Sequence, residues 1–96
     1  MPKKAPYLWD YDIDEERFKK ILWGENRIGH LDQTWATIRL FESAPYWDIV
    51  RLLGYPEIVR RWPLLRNRIR SQSRRRGFDF LVDWLRTKHP EKIAHG

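Results

Sequence analysis

Apolar residues along this chain recur mostly at three- and four-residue intervals, the spacing of helices that bury one face. Phe18, Ile21 and Leu22 form the first such set. Asp12 is placed to cap it, Glu15 three residues later completes a capping-box pattern, and Gly24 supplies a stop. A helix is therefore predicted over 13–23. Gly29 breaks the next stretch. Asp32 can cap a second helix, with Trp35, Ile38 and Phe41 in one stripe and Leu31 and Leu40 at its margins. Ser43-Ala44-Pro45 ends that helix and opens a third, with proline at the first helical position. Tyr46, Ile49, Val50 and Leu53 then follow the i, i+3, i+4, i+7 pattern, and Gly54 closes the set.

Pro56 opens a short helix holding Ile58, Val59 and Trp62. Pro63 is expected to interrupt it, since a proline inside a helix loses a hydrogen bond and costs about 3 kcal/mol. A fifth helix from Pro63 keeps Leu64, Leu65 and Ile69 as apolar contacts, and Ser71-Gln72-Ser73 relaxes it. The last helix, from Ser73 or Gly77 to Lys88, carries Phe78, Leu81, Val82 and Leu85, with Phe80 and Trp84 widening the stripe. Pro90 ends it, and 91–96 should fray. Pro2 and Pro6 make 1–11 an extended lead-in, along which Tyr7, Trp9 and Tyr11 alternate. No repeat, linker or Val/Ile-rich alternating run interrupts this pattern. The expectation is all-α: a compact single-domain bundle of five or six short helices with an extended aromatic N-terminal segment. Near-neutral scaffold helices span 12–58 and arginine-rich helices span 59–89.

Composition supports folding over disorder. Among 96 residues 42% are apolar, and six are tryptophan; each such ring can remove on the order of 150–250 Å² from water. Trp35, Trp62 and Trp84 fall on apolar helix faces and are expected in the core. Trp47 lies off its helix's apolar face and is the candidate for exposure. Cysteine is absent, which excludes disulfides, cysteine-based zinc sites and cysteine nucleophiles. No apolar run approaches the roughly 18 residues of a membrane span. Acidic residues 10–16 stand where the apolar part of a signal peptide would lie, so a cytoplasmic location is expected.

Catalytic chemistry finds little support. His30, His89 and His95 are far apart in sequence, none with a partner at metal-ligand spacing. Asp10, Asp12 and Asp14 alternate like the start of a calcium loop. Glu15 stands where that loop needs glycine, and Ile21 where it needs glutamate. No glycine-rich phosphate loop is present. The expectation is a non-enzyme with no cofactor and no metal.

Charge changes the picture most. The formal net charge is +6, but residues 1–58 sum to −2 and residues 59–96 to +8. No acidic residue lies between Val59 and Gly77, where every cation is arginine: Arg60, Arg61, Arg66, Arg68, Arg70, Arg74, Arg75 and Arg76. A planar guanidinium suits two-point pairing with carboxylate or phosphate. In a continuous helix Arg66, Arg70 and Arg74 would share a face, with Arg68 and Arg75 elsewhere. Ser71, Gln72 and Ser73 could add phosphate contacts. The competing reading is that some of these arginines pair internally with Asp79, Asp83 or the N-terminal acids.

Residues 49–62 also resemble a helix-turn-helix, with Leu52-Leu53-Gly54 at the turn and Arg60 and Arg61 offered to a major groove. The interval after the turn glycine is about one residue short, and Pro63 truncates the second helix. A plain helical hairpin is therefore preferred.

Tyr7-Leu8-Trp9-Asp10-Tyr11-Asp12, one helix, Arg39-Leu40-Phe41-Glu42 and Ile49-Val50-Arg51-Leu52-Leu53-Gly54 together resemble a family of small prokaryotic helical proteins over residues 7–55. That family opens on a Tyr-Leu-Phe-Trp-Asp type segment; here the phenylalanine before Trp9 is missing, and the Arg60–Arg76 run has no counterpart. The resemblance implies partner binding, as in antitoxins that act beside nucleotidyltransferase-type toxins, and assigns no functional residue. The reading is thus an antitoxin-like or accessory binding module. Its eight arginines would engage an acidic protein partner, a toxin among the candidates, or nucleic acid. The alternative is a dedicated DNA- or RNA-binding protein using segment 49–62.

Overall fold

The computed structural model describes residues 13–94. The expected extended segment over 1–11 and the end of the tail lie outside these residues, as does Asp12 itself; the helix expected from 13 starts at Glu15, with Asp14 rather than Asp12 as its cap. All regular secondary structure among the described residues is helical: four α-helices and two short 3-10 turns, fewer than the five or six helices expected. No helix there is long and apolar enough to cross a membrane. The chain divides between Ala44 and Pro45 into two units, described in turn.

In the first unit, α1 (Glu15–Leu22) is capped by Asp14, whose carboxylate accepts from the Arg17 N–H at 2.8 Å. Glu15 and Glu16 in the first turn and Lys19 and Lys20 in the last complement the helix dipole. Gly24, at φ 76, ends the helix in a Schellman arrangement, with the Glu25 N–H on the Lys20 carbonyl and the Gly24 N–H on the Ile21 carbonyl. Phe18, Ile21 and Leu22 are fully buried. A turn closed between Ile28 and Leu31 leads to α2 (Gln33–Ser43), capped by Asp32. The buried stripe of α2 is Ala36, Thr37, Leu40 and Phe41, rotated from the predicted one. Trp35 and Ile38 are only half-buried. Trp35 instead sets its ring edge-on to Phe18 of α1 at 5.8 Å. Thr37 is tolerated in the interior because its hydroxyl donates to the Gln33 carbonyl at 2.8 Å.

In the second unit, α3 (Tyr46–Leu65) is kinked where Gly54 adopts φ 80, ψ 157. The two arms, 46–53 and 55–65, correspond to the two helices expected on either side of that glycine. A hydrogen bond between the Tyr46 and Tyr55 hydroxyls spans the kink at 3.1 Å. Pro56 enters at the first turn of the second arm, where the missing N–H costs nothing. Pro63 does not break the helix. Only Leu64 and Leu65 follow it, so the hydrogen bond it forgoes lies in the last turn, and the buried Trp62 holds that turn in place.

The fifth helix expected from Pro63 is instead a 3-10 turn, Arg66–Arg68, followed by an extended Ile69 that is itself buried. α4 (Gln72–Lys88) starts from the Ser71 cap, earlier than expected, and buries Phe78, Leu81, Val82 and Leu85. Phe80, expected to widen that stripe, is 71% exposed, and Trp84 is half-buried against His89. A second 3-10 turn, Pro90–Lys92, occupies part of the tail expected to fray.

Candidate anion-binding surface of the second unit

The polar joint between α3 and α4 is organised by Asp79. Its carboxylate accepts from the Trp62 Nε1–H at 2.7 Å and takes both Nε and Nη2 of Arg66, at 2.9 and 2.6 Å. The indole beneath it packs on Phe78 at 5.2 Å between centroids. Arg66 chiefly, with the Trp62 N–H adding to it, holds the Asp79 carboxyl below the ordinary carboxylate range. This pairing is the internal one that the sequence reading weighed as an alternative, and it removes Arg66 from any unengaged set.

Arg60 and Arg61 are engaged as well. Glu57 accepts from Arg60 through both oxygens, at 2.7 and 2.8 Å, and from the Arg61 Nε at 2.8 Å. Those guanidiniums, Arg60 foremost, hold the Glu57 carboxyl at about 2. The Arg61 side chain is 6% exposed. Ile58, Val59 and Trp62 of the same arm are buried too. The helix-turn-helix reading needed Arg60 and Arg61 to reach into a groove together. Arg61 instead is buried in the fold, with its Nε on Glu57 one turn earlier.

The shared face expected for Arg66, Arg70 and Arg74 is also absent, since no continuous helix joins them. Arg66 and Arg68 sit in the 3-10 turn, Arg70 in the extended link, and Arg74, Arg75 and Arg76 on α4. Arg68, Arg70 and Arg76 are exposed, while Arg74 and Arg75 are half-buried. The Arg74 guanidinium lies over the Phe78 ring at 5.6 Å. Arg75 interacts electrostatically with Asp79, and its buried Nε has no hydrogen-bond partner among the described residues. Ser71, expected to contact phosphate, accepts the Arg74 N–H as the cap of α4, and its hydroxyl meets that of Ser73 at 3.2 Å.

The feature that sequence reasoning missed is a cleft beside these arginines. It has a volume of about 210 Å³ and is lined by Tyr46 of α3 and by Ser73, Arg74, Gly77, Phe78 and Leu81 of α4. Its walls are mostly apolar, and Arg74 supplies the charge. Trp47, 71% exposed, stacks edge-on with Tyr46 at 4.9 Å. Gly77, a place where α4 was expected to start, lies inside that helix outside the left-handed region, and a Cβ added there would meet no atom of the described residues within 4 Å. A glycine between an arginine run and an apolar stripe was the one visible signal. No protein-family model matches the chain, nor does any curated protein or solved structure.

Proposed function

We propose that this chain is a non-catalytic binding module, antitoxin-like or accessory, whose second unit engages an acidic protein partner through Arg68, Arg70 and the Arg74–Arg76 stretch. The observation that carries this reading is the make-up of the start of α4. Its first turn has no acidic residue. Arg74 sits within that turn, and Arg75 and Arg76 follow it, close to the positive end of the helix dipole. A cation within that turn is opposed by about 0.3–1 kcal/mol, an effect that fades beyond it. Gly77 costs a further ~1 kcal/mol relative to alanine in a helix interior. A segment built against its own local stability marks a place selected for something other than folding.

A protein partner is favoured over nucleic acid by the apolar cleft that Arg74 borders, since protein interfaces combine an apolar centre with a polar rim.

The test is fluorescence anisotropy with a labelled Asp/Glu-rich peptide containing apolar residues, against labelled duplex DNA and single-stranded RNA, at rising salt. Peptide binding that persists at elevated salt, and that is lost in the Arg70→Glu/Arg74→Glu variant, is expected. Tighter binding to nucleic acid, with log K falling by about 0.9 per neutralised phosphate, would replace the acidic-protein reading with the nucleic-acid one.

A further inference from the structure

Gly77 has no local reason to be glycine. Its backbone is not in the left-handed region, which is where glycine's conformational freedom is needed. No neighbour among the described residues crowds it, because an added Cβ would find none of them within 4 Å. Alanine would stabilise the helix by roughly 0.5–1 kcal/mol at no steric cost. Among the described residues nothing closes on it, and a bare backbone at such a position suits the close approach of a bound group.

What approaches is defined by the cleft that Gly77 floors. Its volume, about 210 Å³, is below the roughly 300–1,000 Å³ typical of small-molecule pockets. A single large apolar side chain fits it better. Phe78, Leu81 and Tyr46 form apolar walls, and Arg74 brings a guanidinium to the rim. The surrounding run, 59–77, adds positive charge with no acidic residue. Arg68, Arg70 and Arg76 lie within this run and are exposed.

We infer that the cleft over Gly77 is the anchor site for one aromatic or branched aliphatic side chain of an acidic protein segment, with a neighbouring carboxylate of that segment pairing with Arg74. This rests on the acidic-partner reading and gives it a place and a shape. The anchor lies against the α4 backbone, where any Cβ would displace it. The carboxylate fixes which way the segment runs. Arg68, Arg70 and Arg76 attract the rest of the segment without setting its register.

The experiment uses short labelled peptides of Asp and Glu with one central Phe, Leu or Ala, measured by anisotropy on the full chain and on its Gly77→Ala and Gly77→Leu variants. The Phe and Leu peptides are expected to bind roughly ten- to hundredfold more tightly than the Ala peptide, the gain from burying one large apolar side chain. Gly77→Leu, which fills the cleft from within, should bring all three peptides to the level of the Ala peptide. Gly77→Ala should reduce the difference in part. Thermal melts should find both variants at least as stable as the parent, which separates a filled cleft from a damaged fold.

Equal binding of all three peptides, unchanged by Gly77→Leu, would overturn the anchor site and leave the acidic-partner reading standing. No binding of any peptide, with nucleic acid bound instead, would overturn both.

Discussion

At Gly54 the backbone sits at φ 80, ψ 157, a region nearly closed to residues with a side chain, while Gly77 sits in ordinary helix. The same substitution should therefore act in opposite directions at the two positions. Gly54→Ala is expected to destabilise by about 1–3 kcal/mol through backbone strain; the nearest atom to an added Cβ there, on Pro56, is at an uncrowded 3.8 Å. Gly77→Ala is expected to stabilise by roughly 0.5–1 kcal/mol. Urea unfolding of both variants checks the pair, and equal signs would refute the reading of one of them. Asp79 is the other decisive residue. Asp79→Ala leaves the Trp62 indole N–H and the Arg66 guanidinium without their acceptor. The Trp62 residue is 2% exposed, so a loss of about 1–3 kcal/mol is expected. Asp79→Asn keeps an acceptor for the indole and should lose less.

Among the elements, the second arm of α3 carries its own acid sensitivity. Glu57 holds Arg60 and Arg61 along one face, and its carboxyl is depressed from the usual 4.5 to about 2, first by the Arg60 hydrogen bonds. A depressed acid stabilises the folded chain fully above its unfolded value and loses that contribution as pH falls. The loss should therefore run from about pH 4.5 down towards 2. Asp79, also held low by Arg66, adds to the same acid limb. In thermal melts across this range, Glu57→Gln should show a shallower decline than the parent, with Asp79 accounting for part of what remains. A decline as steep in Glu57→Gln would remove Glu57 as a source. α4 shows the opposite economy at its start. Arg76 is exposed, so Arg76→Glu should leave stability unchanged or raise it by up to about 0.5 kcal/mol, while weakening the acidic peptide.

At the scale of the whole molecule, the division of charge at residue 58, −2 before it and +8 after it, makes encounter with an acidic partner dependent on ionic strength. Screening acts over about 8–10 Å at ordinary salt. Raising salt should slow association while the dissociation of an anchored peptide stays nearly constant. Stopped-flow measurement separates the two, and a salt effect confined to dissociation would contradict steering by this charge. Arg60, Arg61 and Arg66 are already neutralised in part by Glu57 and Asp79. The acting charge is thus smaller than the eight arginines of 60–76 suggest.

Periodicity was enough to read the all-helical class, the Asp32 cap and the glycine stop after α1, because each depends on residues within a turn or two of one another. The arginine run was legible as composition but not as a surface. Whether a guanidinium faces water or a carboxylate depends on which acids lie across the packing. Asp79 meets Arg66 from thirteen residues away, a pairing that no helical spacing announces. Pro63 was misjudged for the same reason: its penalty is local, whereas the burial of Trp62 that outweighs it is not. The cleft over Gly77 likewise exists only because Tyr46 of α3 comes to lie opposite α4. Short-range chemistry in this chain writes the helices; the encounter of distant segments makes the site.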